Sequence, residues 1–224
     1  MSHVLDNPIW SALNTAHHAL AIRDGALLRY PREVAPFVAV PREGIDADAA
    51  LHALVEPGET VYLVGPKPRT PEGWMLQGPI MLAQMVCGEA LPLPDGPAIL
   101  LLDHRHEDDV RALAALVYPH YFRARTIVLG RYFGSYLHGQ LAAMVGERMA
   151  CEDWREVSAV CTHPQHLGHG YARRLLIHLS NDLLAHGQRP FLHVSQQNER
   201  AKALYLRNGY RIRTELPHWV LRRP

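Results

Sequence analysis

The segment from Val160 to Ala172 constrains the fold of this chain more than any other part of its sequence. It begins in an apolar run, passes through a turn that holds Gly168 and Gly170, and continues into leucines at helical spacing. Glycine lets the backbone turn closely, and a helix that begins there leaves free N–H groups in its first turn. The sequence therefore predicts a strand, a turn and a helix whose N-terminus can bind an anion such as a pyrophosphate.

Other readings of this turn fit less well. A dinucleotide-binding turn has the pattern GxGxxG, but Arg173 stands where the third glycine would be, and the pattern GxxxxGK[ST] occurs nowhere. A turn that only packs stays open as an alternative. In the phosphate-binding interpretation, Arg173 and Arg174 lie where they could reach further phosphate groups.

A second informative segment runs from Asn198 to Tyr210. Asn198 can cap a helix, and Ala201, Leu204 and Tyr205 share one face of it because offsets of three and four point the same way. A small residue at Ala201 would let a ligand lie close to the helix, with the phenol of Tyr205 beside it. The alternative is that Tyr205 is a core tyrosine with a satisfied hydroxyl.

Proline and charge divide the chain near residue 97. Of 17 prolines, 12 precede residue 98, and the run from Leu91 to Pro97 is typical of a connector. Residues 1–97 carry 6 basic and 11 acidic residues, whereas residues 98–224 carry 17 basic and 11 acidic ones. We expect an N-terminal α/β domain of unclear role over 1–97 and a second domain over 98–224.

Periodicity predicts the elements of both parts. In the first part we expect helices from Pro8 and over Asp46–Val55, with strands over 26–30, 37–40 and 60–65. In the second part, the predicted order of strands and helices is β-α-βββ-α-β-α-ββ. Its predicted strands are 98–102, 126–137, 140–150, 154–162, 191–194, 210–214 and 219–221, and its helices begin near Glu107, Gly168 and Asn198.

Together, the two segments and the order of elements over residues 98–224 resemble the GNAT superfamily of acyl-CoA-dependent N-acetyltransferases, and within it the branch similar to glycine N-acyltransferases. The resemblance implies an α+β fold, a mainly antiparallel central sheet flanked by helices, and acetyl-CoA as co-substrate without a metal. The first part could be a degenerate GNAT-like half. One position departs from the family: Leu167 stands where the loop usually begins with Arg or Gln.

The resemblance also implies a role for individual residues. The strand before the turn would lend backbone groups to the pantetheine and thioester, and Asn198 would lie near coenzyme A. The general acid would be Tyr205, since a phenol with a pKa of about 10 suits a basic thiolate leaving group. The implied cofactor-binding residues are Val160, Cys161, Thr162, Gly168, His169, Gly170, Tyr171, Ala172, Arg173 and Asn198.

Transfer of an acyl group to an amine also needs a proton acceptor. Glu156 is the leading candidate because it shares strand parity with Ser158 and Val160. Glu147, Glu152 or a relaying water are alternatives. A covalent route through Cys161 and His163 and a metal site at His163, His166 and His169 are weaker interpretations.

The acceptor site is expected after the first helix of the second part. Aromatic residues cluster there and on the next strand, and acidic residues are lacking, so a small amine or amino acid fits better than a polyamine. The residues are Tyr118, His120, Tyr121, Phe122, Tyr132 and Tyr136, with Tyr121, Phe122 and Tyr132 the main candidates.

Net charge, cysteine spacing and apolar runs indicate which partners and which cellular location to expect. The net charge of +1 and the lack of an interleaved basic-aromatic motif argue against nucleic acid as a partner. Three cysteines without CxxC spacing and short apolar runs indicate a cytoplasmic protein without a signal peptide or membrane anchor. A homodimer stays open. The alternative to an enzyme is a GNAT-fold module that binds acyl-CoA without turnover and acts through residues 1–97.

Overall fold

An eight-stranded, mainly antiparallel sheet forms the centre of the molecule. The computed structural model describes residues 3–117 and 121–224. The strands of the sheet lie in the order β4-β11-β5-β10-β9-β8-β7-β6, and β9 and β10 pair in parallel. Their bounds are Thr60–Val64 (β4), Met75–Cys87 (β5), Leu100–Leu102 (β6), Tyr132–Leu137 (β7), Gln140–Cys151 (β8), Trp154–Thr162 (β9), Arg189–Ser195 (β10) and Tyr210–Arg222 (β11).

Within the described residues, five α-helices and a small second sheet surround this sheet. The helices are Pro8–Asn14 (α1), Asp48–Leu54 (α2), Glu107–Val117 (α3), Tyr171–Ala185 (α4) and Glu199–Leu206 (α5). The second sheet consists of Ile22–Asp24 (β1), Leu27–Arg29 (β2) and Val38–Ala39 (β3). The predicted α+β fold class is confirmed.

The two faces of the large sheet pack against different parts of the chain. Side chains alternate along a strand, so on β5 Ala83 and Met85 pack with the leucines of α4, whereas Leu82 and Val86 pack with the N-terminal segment around Ile9. The N-terminal segment therefore covers one face of the sheet, and α4 with α5 covers the other.

Strands β4 and β5 join the two parts of the chain in one sheet. β5 lies between β10 and β11 and pairs with both, and β4 pairs with β11. The predicted division at residue 97 thus falls between β5 and β6 of a single sheet. Residues 60–87 supply two strands to the sheet that carries the strand-turn-helix segment.

The parallel pair β9 and β10 separates toward its C-terminal end. The strands pair only from Trp154 to Glu156 and from Arg189 to Phe191. On the other side of β9, three residue steps of β9 face two of β8, which marks a bulge, and Ala159 within it has a φ of +50°. A bulge of this kind bends the strand that contains it. The gap between β9 and β10 therefore opens along Val157–Thr162.

Several segments differ from the sequence predictions, among them the short strand β1, which was not predicted. Residues 126–129 form a 3-10 helix rather than the start of a strand, and Thr126 donates a hydrogen bond to the Val34 carbonyl. β11 is continuous across Pro217, where two strands were predicted. β5 was not predicted at all, because Gly78 and Pro79 interrupt its apolar pattern and proline usually argues against an interior strand.

Candidate active site

The turn between β9 and α4 exposes the start of a helix. Gly168 and Gly170 have φ angles of +86° and +79°, a left-handed conformation that favours glycine, and no heavy atom lies within 4 Å of a Cβ placed on either. α4 starts at Tyr171, and Gly170 before it provides no side-chain cap. Because no side chain caps α4, the first N–H groups of this helix can serve a bound anion.

A cavity of about 540 Å³ opens over this turn. We call it the turn cavity. Nine of the ten residues predicted to bind the cofactor line it, from Val160 on β9 through Arg173 on α4 to Asn198 before α5. The exception is His169, whose ring stacks on Tyr171 at 5.5 Å between centroids. The sequence-based prediction thus describes one contiguous surface.

The arginines around the turn have distinct positions. Arg173 lines the turn cavity, and its Nε donates to Oδ1 of Asn208 at 2.8 Å. Arg174 instead donates to the carbonyls of Pro94 and Pro97, so it does not extend the site as predicted. Two arginines that the sequence analysis missed, Arg200 and Arg207 on or next to α5, line the cavity as well.

Helix α5 brings Tyr205 to the edge of the turn cavity. The Asn198 side chain accepts a hydrogen bond from the Ala201 N–H at 3.1 Å, which confirms the predicted cap. Tyr205 is 8% exposed and packs with the core under α4. Ala201 and Tyr205 both line the cavity, as their shared helix face predicted.

A second cavity of about 360 Å³ lies on the other side of the gap between β9 and β10. We call it the aromatic cavity. It shares Val160, Asn198, Ala201 and Tyr205 with the turn cavity. Its walls come from both parts of the chain, since Phe37, Ile80 and Leu82 also line it. Sequence reasoning missed this contribution because no chemical motif marks these apolar residues.

Of the residues predicted to contact an acceptor, the three main candidates line the aromatic cavity. These are Tyr121, Phe122 and Tyr132, and the rings of the last two lie 5.9 Å apart. Tyr136 does not line it, because its hydroxyl donates to Asp109 on α3 at 2.6 Å. The remaining candidates, Tyr118 and His120, lie outside the described residues.

Glu156 is buried in an ion pair. Its carboxylate accepts hydrogen bonds from Nε and Nη2 of Arg148 at 2.8 and 2.6 Å, and His193 Nδ1 lies 2.7 Å away. Burial alone would raise the pKa of the Glu156 carboxyl, but Arg148 and His193 outweigh it and hold that pKa well below its usual range. A carboxylate so stabilised is a weak base, which argues against Glu156 as the group that takes the proton.

The two alternative carboxylates lie outside both cavities. Glu147 pairs with Arg131 at 2.6 Å, and Glu152 lies in the turn between β8 and β9 with a φ of +55°. Neither lines the turn cavity or the aromatic cavity. The groups in the aromatic cavity that can accept a proton are instead imidazoles, His193 and His218, which the sequence analysis did not select.

Cys161 has the environment of a packing residue. It is 3% exposed, and burial raises the pKa of its thiol to about 12. A thiol is a poor nucleophile in that state, so the covalent route is disfavoured. His163 contacts Gln140 and the Gln165 N–H, and among the described residues no group of three or more His, Cys, Asp or Glu side chains could hold a metal ion.

Comparison with known proteins agrees with the geometry. Residues 132–220 match the family model described as FR47-like protein. A solved structure of an acetyltransferase assigned to the GNAT family, from Novosphingobium aromaticivorans, is 32% identical, covers 100% of both chains and has a TM-score of 0.89. No match is found among curated proteins.

Two more distant structures share the fold. A GCN5-related N-acetyltransferase from Kribbella flavida is 17% identical over 96% of this chain and 95% of its own, with a TM-score of 0.62. A GNAT-family acetyltransferase from Colwellia psychrerythraea is 10% identical over 100% and 98%, with a TM-score of 0.55.

A mainly antiparallel sheet whose strands β9 and β10 separate beside a glycine-containing helix start defines the class as the GNAT acetyltransferase fold. The chain belongs to the GNAT family. Within the described parts of the chain, none of the helices has the length and apolar character that a membrane crossing requires.

Proposed function

We propose that this chain is an N-acyltransferase that moves an acetyl or short acyl group from acyl-CoA to the primary amine of a small molecule, by direct attack in a ternary complex. The observation that carries the proposal is the junction of two unlike cavities. The turn cavity and the aromatic cavity share Val160, Asn198, Ala201 and Tyr205 at the gap between β9 and β10. Two substrates can therefore meet there.

The turn cavity is the proposed site of acyl-CoA. The uncapped start of α4 suits the pyrophosphate, and Arg173, Arg200 and Arg207 add positive charge around it. The pairing of β9 with β10 ends at Glu156 and Phe191, so the backbone at Val160 lies at the gap where the thioester would be held. Exposed Leu167 fits this assignment because the turn offers backbone groups, not side chains, to the phosphates.

Tyr205 is the proposed general acid. In the reaction the amine nitrogen forms a bond to the acyl carbon, the carbon–sulfur bond breaks, and the proton lost by nitrogen is balanced by the one that sulfur gains. Tyr205 lines both cavities, so its hydroxyl can donate to the departing sulfur. The backbone at Val160 is the proposed partner of the carbonyl oxygen.

The acceptor is proposed to occupy the aromatic cavity. Tyr121, Phe122 and Tyr132 give it an aromatic wall, and none of its described lining residues is acidic. A polycation would find no counter-charge there, whereas a small amine or amino acid fits. Membership of the glycine N-acyltransferase-like branch, a cytoplasmic location, a homodimer and the absence of nucleic acid as a partner stay predictions.

The decisive experiment measures thiol release from acetyl-CoA across a panel of small amines and amino acids, together with the thermal shift that coenzyme A produces. We expect a thermal shift and thiol release with at least one small acceptor. A thermal shift without thiol release would favour the alternative, a module that binds acyl-CoA without turnover. The absence of any shift with coenzyme A, or turnover restricted to polyamines or protein lysines, would contradict the proposal.

A further inference from the structure

The aromatic cavity contains one permanently charged side chain among its described lining residues, Arg148 on β8. The others are apolar, aromatic, hydroxyl-bearing, amide or imidazole groups. Glu156 pairs with this guanidinium through two of its nitrogens, and a hydrogen bond from the guanidinium to a second anion is stronger in a half-enclosed cavity with aromatic walls than in water. The cavity therefore suits a ligand that carries one negatively charged group.

Glu156 fixes the orientation of this cation. Two nitrogens of Arg148, Nε and Nη2, donate to the two oxygens of Glu156, and the guanidinium lies 5.1 Å from the ring centre of Phe37. The third nitrogen, Nη1, has no hydrogen-bond partner within residues 3–117 and 121–224. The side chain of Arg148 is 21% exposed, whereas that of Glu156 is 1% exposed.

Glu156 has a further partner besides Arg148. His193 contacts Glu156 through Nδ1, and its Nε2 lies 2.9 Å from Nε2 of Gln84. Gln84 in turn donates to the Leu5 carbonyl at 2.8 Å. The carboxylate is thus engaged by Arg148, His193 and the Met149 N–H and is not available to a substrate ammonium, which leaves the guanidinium as the charged group among the described lining residues of the cavity.

We propose that Arg148 binds an anionic group of the acceptor, so that the acceptor is an amine that also carries a carboxylate, and that Glu156 is a positioning residue for Arg148. The inference rests on the proposed function and narrows its acceptor to amino acids and related amino carboxylates. Nη1 of Arg148 donates to the carboxylate, while the amine lies toward Val160 and Tyr205, where the two cavities meet. Arginine is suited to this role because its planar fork can serve two carboxylates at once.

The test compares acceptors that differ only in the carboxylate, L-alanine with ethylamine and L-phenylalanine with 2-phenylethylamine. The wild type should prefer each amino acid to its amine. Arg148→Lys keeps a charge beside Glu156 but loses the fork, and we expect the preference, as a ratio of kcat/KM values, to fall about tenfold to hundredfold. Arg131→Lys is the matched control, because Arg131 is also ion-paired but lies outside both cavities.

Arg148→Gln combined with Glu156→Gln removes both charges, so that no buried carboxylate stays unpaired. This double variant should lose the preference as well. If the wild type uses the amines as well as the amino acids, or if the variants lose activity with both kinds of acceptor equally, the proposal is overturned.

Glu156→Gln separates positioning from proton transfer. A positioning role predicts a higher KM for amino acids than in the wild type, a smaller effect on amines, and a kcat that keeps its pH profile. Loss of a general base would instead lower kcat for both kinds of acceptor and alter the pH profile, which would contradict the proposal.

A binding measurement keeps this test independent of turnover. N-acetyl-L-alanine should stabilise the wild type against heat more than N-ethylacetamide does, and Arg148→Lys should remove the difference. If no acceptor releases thiol but this difference is present, the proposed function fails and the anion site stands. If both products stabilise the protein equally, the anion site fails.

Discussion

The two cavities that meet at Tyr205 are built in opposite ways. The turn cavity is lined mainly by one stretch of chain, from Val160 to Arg173, together with α5. The aromatic cavity gathers residues that lie far apart, from Phe37 on the N-terminal side to His218 on the last strand. The first offers backbone N–H groups and exposed glycines, whereas the second offers aromatic rings and the guanidinium of Arg148.

The difference indicates how the two substrates are recognised. A backbone turn is suited to a ligand part that is always the same, since almost any side chain can change around it. An acceptor cavity formed by side chains from both parts of the chain can change its specificity without disturbing the turn. Substitutions at the junction, in the turn and in the aromatic cavity should therefore have separable effects.

The largest effect is expected at the junction itself. Tyr205→Phe removes the proposed proton donor to sulfur while it keeps the ring in the core. We expect kcat to fall by about a hundredfold or more, since a general acid contributes roughly that much. The thermal shift with coenzyme A should stay as in the wild type. Turnover within a few-fold of the wild type would show that Tyr205 is a core tyrosine only.

In the turn between β9 and α4, we expect a substitution to change the KM for acetyl-CoA about tenfold and to leave the KM for the acceptor unchanged. Gly170→Ala forces a Cβ into a left-handed conformation, which costs about 1–2 kcal/mol even though the space around it is open. The KM for acetyl-CoA should rise about tenfold. Gly73→Ala is the matched control, because Gly73 has a φ of +77° and equally open surroundings but lies before β5.

Both glycine variants should lose a similar amount of thermal stability, and only the one at Gly170 should lose affinity for coenzyme A. An equal loss of affinity in the two would mean that the conformation of this turn does not matter for binding.

A smaller effect, on the acceptor alone, is expected at Ile80. This side chain on β5 is 43% exposed and lines the aromatic cavity. Ile80→Ala removes part of an apolar wall, and we expect the KM for an acceptor to rise about threefold to tenfold, with the KM for acetyl-CoA unchanged. Ile22→Ala, at a 40% exposed position on β1 outside both cavities, is the control. A changed KM for acetyl-CoA in Ile80→Ala would contradict the assignment of separate substrates to the two cavities.

The smallest effect is a pH dependence of stability from the aromatic cavity. Burial, with the nearby Arg148 and His193, lowers the pKa of His218 to about 4. In the unfolded chain a histidine titrates near 6.5, so between pH 6.5 and 4 the unfolded state binds a proton that the folded state does not. The contribution is present above pH 6.5 and is lost as the pH falls toward 4.

His218→Gln should therefore flatten the fall in melting temperature below pH 6.5, by roughly 2–4 °C for about 1 kcal/mol. His18→Gln, at an exposed position, serves as the control. An unchanged slope in His218→Gln would mean that this imidazole is already accessible to protons in the folded protein.

Sequence reasoning worked well for the turn and poorly for the aromatic cavity, for a physical reason. The bounds predicted for β9 are those observed, and the cap at Asn198 and the shared face of Ala201 and Tyr205 are present, because these features depend on neighbours along the chain. Glu156 also lies on the predicted strand. Its pairing with Arg148 depends on the register of two strands, which strand parity alone does not reveal.

The missed strand β5 had the largest consequence. Gly78 and Pro79 break its pattern, and the sheet accommodates them where the register with β11 shifts between His218 and Val220. A local pattern cannot show that a partner strand will accommodate an interruption. Without β5, residues 1–97 could not be connected to the aromatic cavity, although Ile80 and Leu82 are part of its wall.

The position of β5 also has a consequence for how the protein is made. β4 and β5 are synthesised early, but both pair with β11, the last strand in the sequence, and β5 also pairs with β10. During translation these two strands stay unpaired, with exposed backbone N–H and C=O groups along their edges, until more than a hundred further residues have left the ribosome. A nascent chain that lacks β11 should therefore be a client for chaperones, and completion of the sheet and of the aromatic cavity should coincide with release.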